Sequence, residues 1–357
     1  MESRNRTNQE DVTVAFYQLP ETFNLVLLIW YSVILSVGLA GNILTIIAIL
    51  VCKKHRKTQN VYICSLAFAD LIVCINAAPY TVWMLVQHNQ KDHHLLFSFM
   101  CQSTGWLTTA MLCNTLYNLA GIAINRYICI IKPSHIYMRL YTRRRVGLSV
   151  FLIWLLSGLV VMPGMLGFGS FGYNDHFGSC LVTDDPLTYL MAMTILLIFC
   201  TLPCLSSIFF SYARILIHFR QVSHRARCRN TTIAHIGSTN DSSDLTQVSN
   251  LKPNPASSRG HREMAVIANL CVVFGVFLIF WMPLLSIYIF DYRRLAPVWV
   301  YRVFFAFATS NSCVNVFIYA GMNPAFRQTY IFILTLKWRE INKPVVWPTA
   351  SFGASSM

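Results

Sequence analysis

Phe23 to Val51 reads FNLVLLIWYSVILSVGLAGNILTIIAILV, without one charged side chain. A helix rises about 1.5 Å per residue, so about 20 such residues cross the ~30 Å hydrocarbon core of a bilayer. A soluble helix would interrupt such a run with a polar face. The composition of the whole chain agrees: its 357 residues are 55% hydrophobic and only 12% charged, with a mean hydropathy of +0.51. A solvated surface needs roughly 25% charged residues, which excludes a soluble two-domain enzyme. Chain-wide disorder is excluded by 24 Phe, 16 Tyr and 8 Trp.

Outward from this run, six more are long enough to cross: Val61 to Val86, Leu95 to Ile131, Val146 to Gly169, Leu187 to His218, Met264 to Phe290 and Val298 to Gly321. Inside them, charge is confined to Asp70, Arg126, Arg214 and Arg302. Lipid leaves strand edges unpaired, and no alternating barrel pattern occurs, so all seven are helices. Placing the N-terminus outside puts 21 of the 28 Lys and Arg on the cytosolic side, the orientation that the charge bias of short loops selects. The net charge of +14 then belongs to the cytosolic face, where it attracts anionic lipid. Nucleic-acid binding is not expected, because no stacking platform accompanies the basic loops.

Glu2 to Val12 is polar, so the first span is expected to act as a signal anchor without a cleavable leader. Asn5-Arg6-Thr7 is a glycosylation sequon on the outer side. The chain divides into an extracellular tail (1–22), a seven-span domain (23–321) containing a cytosolic loop read as disordered (219–262), and a tail (322–357). That tail begins with a stretch, Asn323 to Lys337, that suits a short helix on the membrane surface.

Of twelve cysteines, this topology leaves only Cys101 and Cys180 in an oxidising compartment, and they are expected to pair. Without a CxxC pair, a zinc or redox site has no support. Asp70 is the one acid in the membrane centre, either a structural carboxyl or a cation or proton site. Arg126 follows Cys101 by 25 residues, about 37 Å along a helix, which delivers it to the cytosolic surface. Pro163, Pro203 and Pro283 each interrupt a span. Trp281 lies beside the last, where a rotating indole would make a switch. The outer halves of spans three, five, six and seven are expected to form a pocket, with Thr108, Thr109, Leu112, Leu284, Leu285, Tyr288, Tyr301 and Phe305 as its lining. Their mixture of aromatic, apolar and hydroxyl groups is that of a small-molecule cavity. Asp184, Asp185, Asp291, Arg293, Arg294 and Arg302 are read as solvated rim charges.

Ordered along the chain, the motifs resemble the rhodopsin-like (class A) G-protein-coupled receptors. They are Gly41-Asn42, Leu66-Ala67-Phe68-Ala69-Asp70, Cys101, Asn125-Arg126-Tyr127, Trp154, Cys180, Pro203, Phe277 with Trp281-Met282-Pro283, and Asn315-Val316-Phe317-Ile318-Tyr319. Gly121 to Tyr127, the step from Trp154 to Pro163, and Asn311 to Asn315 look most like melatonin receptors and the orphan or invertebrate receptors near them. The resemblance implies an all-α membrane protein: a seven-transmembrane bundle in the plasma membrane, with a short amphipathic helix after the seventh span. Thr108 stands where amine receptors carry Asp, and Thr309 where opsins carry the retinal-linking Lys. The polar groups of melatonin receptors are replaced by Gly164, Asp184 and Phe199, which argues against melatonin as the ligand. A neutral or weakly anionic amphiphile is expected instead.

By the same resemblance, Asp70, Thr115, Asn311, Ser312 and Asn315 would surround a resting-state sodium ion, with no other metal or cofactor. Asn125 stands where most of the class has Asp or Glu, so Glu263 would hold Arg126 at rest. Agonist would loosen the Phe277 and Trp281 packing beside Pro283, with Tyr127 and Tyr319 in the same relay, and expose Arg126 to a heterotrimeric G protein. Receptor kinases and arrestin would follow.

Two rival readings stay open: a non-signalling receptor-like protein, and a cation transporter built on Asp70. Seven spans without an inverted repeat stand against the transporter. Gly167 to Gly172 fits GxGxxG but lacks the strand and helix that a dinucleotide site needs. His88, His93 and His94 lack a nearby acid or Cys to complete a metal site.

Overall fold

The computed structural model describes residues 19–58, 60–86, 95–166, 171–183, 191–192, 194–237, 255–291 and 294–337. Among them, seven helices are long and apolar enough to cross a membrane: Glu21–Val51, Asn60–Val86, Ser98–Ile131, Arg143–Met165, Thr194–Val222, Val272–Phe290 and Val298–Met322. The third is the axis of the bundle, with 72% of its crossing stretch buried against 17% for the fourth. Polar side chains tie the spans together where hydrophobic contrast cannot, since lipid is as apolar as Leu. Asn42 Nδ2 donates to the Ser312 carbonyl at 2.8 Å, and Trp30 Nε1 to Ser310 Oγ at 2.9 Å, joining spans one and seven. Trp154 Nε1 donates to Ser65 Oγ at 3.0 Å, joining spans four and two.

Three spans break their regularity, each for a local reason. Pro163 ends the fourth helix at Val161 and starts a 3-10 turn, Met162–Met165, where a kink was expected. In the fifth, a π-turn over Leu197–Thr201 precedes Pro203. Pro203 has no N–H for the Phe199 carbonyl one turn back, and the Tyr117 hydroxyl of span three donates to it at 2.9 Å instead. The seventh is interrupted at Ser310 between Val298–Thr309 and Asn311–Met322. There the hydroxyls of Thr309 and Ser310 both bond back to the Ala306 carbonyl, competing with the helix's own donors.

The terminal surface helix, Pro324–Leu334, has Asn323 as its cap, accepting from the N–H groups of Ala325 and Phe326. It docks on the first span through Thr45 and Tyr330, whose hydroxyls are 2.9 Å apart. His55 bonds Thr329 at 3.0 Å and stacks on Phe326. The loop expected to be disordered is in part helical. The fifth helix continues to Gly237 and the sixth begins at Pro255, while residues 238–254 and Asn5 lie outside the described residues.

At the opposite end of the bundle, β1 (Phe171–Asn174) pairs antiparallel with β2 (Ser179–Val182). The turn between them is built by Asn174, whose Oδ1 accepts from Phe177 N and whose carbonyl accepts from Gly178 N at 2.8 Å. Gly178 has φ +61°, a conformation that a side chain disfavours. Cys101 and Cys180 form the expected disulfide, with Cα atoms 5.2 Å apart, which pins β2 to the third span.

Candidate ligand cavity and switch

Beneath the hairpin lies a cavity of about 430 Å³. Leu181 and Val182 of β2 roof it, and Trp281, Thr115, Asn311 and Ser312 form its floor. Seven of the eight residues expected to line it do so: Thr108, Thr109, Leu112, Leu284, Leu285, Tyr288 and Phe305. Tyr301 does not. It shares a face with Phe305 but lies one turn nearer the hairpin, so its ring meets Phe177 at 5.4 Å rather than open space. Its hydroxyl donates to the Asp291 carboxylate.

Two expected rim charges are structural rather than solvated. Asp291 accepts from Tyr301 and from the N–H groups of Leu295 and Ala296 at 2.8 and 2.9 Å. Its partial burial opposes ionisation, but those three donors outweigh it and hold the carboxyl below its usual range. Arg302 is only 7% exposed. Its guanidinium lies against Gly178, and Nη2 points to the Asp175 carbonyl at 3.5 Å. Asp184, Asp185 and Arg293 lie outside the described residues.

No charged side chain lines the cavity among the described residues. Thr109 and Thr309 spend their hydroxyl protons on backbone carbonyls of their own helices. Thr108 Oγ1 and Trp281 Nε1 are buried without a hydrogen-bond partner, and both residues belong to the cavity lining. The fifth span contributes a wall as expected, through residues the sequence did not single out, including Leu197, Cys200 and Thr201 of the π-turn, whereas the hairpin roof was not expected from the sequence. The roof had a signal, because Leu181 and Val182 directly follow the cysteine expected to bond span three.

The floor adjoins Asp70. This carboxylate is 1% exposed and accepts from Asn315 Nδ2 at 2.8 Å, with the Ser312 hydroxyl as its other side-chain partner. Thr115, Asn311, Ser312 and Asn315 are all buried around the same level, an oxygen-rich set that fits a small hard cation. Phe277 and Trp281 stack with centroids 6.0 Å apart above the inner half, next to Pro283. Below them lies a small pocket of about 20 Å³, lined by Tyr212, Tyr319 and apolar groups. Asn125 is 1% exposed, facing the Tyr141 hydroxyl without a bond of good geometry. Tyr127 packs on Phe210 at 5.6 Å, and the neighbouring Arg126 is half-buried. Glu263 lies on the sixth helix, but its side chain is outside the described residues.

A cavity under a disulfide-pinned hairpin, a Trp at its floor and an Arg at the far end of the central span can now be set beside known proteins. The profile of the 7 transmembrane receptor (rhodopsin family) matches residues 41–319. The chain belongs to the rhodopsin family of seven-transmembrane receptors. It is a multi-pass G-protein-coupled receptor, not an enzyme. Melatonin receptor type 1B-B of Danio rerio is 29% identical over 308 residues, which cover 85% of this receptor and 79% of the relative. Melatonin receptor type 1A of Phodopus sungorus is 30% identical over 305 residues, 84% and 77% of the two chains. The crystal structure of squid rhodopsin superposes with a TM-score of 0.69 at 20% identity, covering 90% of this receptor and 88% of that chain, a likeness of fold alone. In this receptor, two of the positions that depart from the melatonin pattern are unavailable to a ligand. A side chain at Gly164 would come within 2.5 Å of the Phe171 ring, and Phe199 is 61% exposed while Cys200 and Thr201 form the cavity wall.

Proposed function

We propose that this receptor senses a small, neutral amphiphile rich in hydrogen-bond acceptors, and answers by opening its inner end to a heterotrimeric G protein at the plasma membrane. The observation that carries this reading is the cavity wall: uncharged, largely apolar, with Thr108 Oγ–H and Trp281 Nε1–H unused. An ammonium ion would lose its hydration there without a counter-charge, an expensive exchange in a buried site. A carbonyl or ether oxygen would satisfy donors that are otherwise left wanting. The hairpin end is the extracellular one, in keeping with its disulfide and with the basic loops at the other end. Occupancy at Trp281 bears on Phe277 and, through Pro283, on the inner half of the sixth helix. Receptor kinases and arrestin act on the same cytosolic face, and sodium at Asp70 favours the resting arrangement.

The test is nucleotide exchange on purified G proteins by the receptor in lipid nanodiscs, screened against matched neutral, anionic and amine compounds. Neutral acceptors should stimulate exchange, Thr108→Val should weaken the response about tenfold or less, and Arg126→Ala should abolish coupling with ligand binding retained. Activation by amines alone would overturn the ligand class, and exchange undiminished in Arg126→Ala would overturn the coupling route.

A further inference from the structure

The hairpin carries a histidine that ligand recognition leaves unused. His176 sits in the β1–β2 turn, 6% exposed, with its ring edge-on to Tyr301 at 5.1 Å. Charged groups from three segments act on it. These are Asp175 beside it in the turn, Asp291 and Arg294 from the segment between spans six and seven, and Arg302 from the seventh span. The next residue, Phe177, braces the cavity from behind: its ring packs on Tyr288 and Phe305 at 5.4 and 6.0 Å, both of them cavity walls. Cys180 is fixed to the third span by its disulfide, so motion of the hairpin falls on the turn that holds His176 and Phe177.

We propose that the β1–β2 turn is a proton-responsive lid, in which His176 is neutral while seated on Tyr301 and takes up a proton as the turn lifts Phe177 off the cavity walls. A proton taken up in place would be buried, opposed by the charges of Arg294 and Arg302 and favoured by those of Asp175 and Asp291. Burial, reinforced by Arg294, holds the seated imidazole below its ordinary value, with Asp175 and Asp291 offsetting only part of this. The sign follows from linkage. The open state binds more protons than the closed one, so closure strengthens with rising pH and levels off above the ordinary histidine value, near 6.5. It weakens as pH falls below that value. With a free-histidine pKa of about 6.5, opening gains at most about tenfold between pH 7.5 and 5.5. The proton is then a second ligand of the receptor, acting on access to the cavity. Its sidedness alone rests on the orientation proposed above.

Hydrogen exchange of the full-length, ligand-free receptor in nanodiscs reads the lid directly. The amides of Phe177 and Gly178 are bonded inside the turn and exchange when it lifts. After correction for intrinsic exchange, the wild type should show hairpin exchange up to about tenfold faster at pH 5.5 than at 7.5, with third-span peptides unchanged. His176→Gln should remove the pH dependence, and Arg294→Gln should move the midpoint to higher pH. Wild-type exchange that ignores pH, an equal acid effect in His176→Gln, a midpoint unmoved in Arg294→Gln, or a parallel rise in third-span exchange would each overturn the lid. None of these readouts involves a ligand or a G protein, so the lid can fail while the receptor function stands, and the reverse.

Discussion

The two halves of the bundle differ in what they leave empty. The hairpin half holds a cavity of about 430 Å³, whereas a pocket of about 20 Å³ lies in the half nearest the surface helix. The first is held open by covalent and polar fixtures: a disulfide, the Asn174 turn and the Asp291 carboxylate set. The second is closed by side-chain packing, with Arg126 half-buried and Tyr319 Oη enclosed without a partner. A vessel built from fixtures accepts a small guest without rearranging. A seal built from packing opens only when a whole helix moves, and packed interiors shift between discrete arrangements rather than yielding gradually. The Asp70 level, between them, is where a guest in one half can bias the other.

The largest expected effect tests the fixtures. Cys180→Ser should destabilise the hairpin end by about 2 to 5 kcal/mol, seen as loss of the folded receptor at the cell surface. A surface-competent, fully thermostable variant would show that the hairpin holds itself. Next is the level between the halves. Sodium at ten times its dissociation constant should stabilise the wild type by about 1.4 kcal/mol, raising the melting temperature, with no rise in Asp70→Asn. An equal sodium response in both would remove the cation from the account. Tyr117→Phe should cost ~1 kcal/mol by stranding the Phe199 carbonyl, and the loss should appear in thermal unfolding. The smallest effect concerns the seal. Glu263→Ala should remove ~1 kcal/mol or less of a partly exposed pairing with Arg126, raising basal nucleotide exchange by up to several fold at matched expression. Unchanged basal exchange would leave packing as the whole of the seal.

These halves were unequally legible in the sequence. The spans were plain because charge is so sparse inside them, and the disulfide followed from topology. Seven cavity residues were found because span faces repeat predictably. Tyr301 and Arg302 were misplaced because their surroundings come from elsewhere in the chain: Arg302 leans on the Asp175 carbonyl, 127 residues away. A buried guanidinium that leans on a distant backbone carbonyl leaves no acid in its own span to announce it. Between Phe171 and Val182 nothing local distinguishes a four-residue strand pair that a distant cysteine fixes. The helix beyond residue 219 is too polar to register as a span, and the Ser310 break arises from hydroxyl back-bonding that hydropathy does not record.

The π-turn at Leu197–Thr201 has a consequence for how this receptor family changes over time. A π-turn holds one residue more than the α-helical turn it replaces, so its removal needs no substitution, only the deletion of a single codon. Restoring regular winding would turn the outer part of the fifth helix by about 100° relative to the part beyond Pro203. Thr194 and Leu196 would rotate away from the cavity together, and their neighbours would take their places. One indel in this turn therefore changes an entire wall of the binding site at once, a larger step in ligand preference than any point mutation of a lining residue.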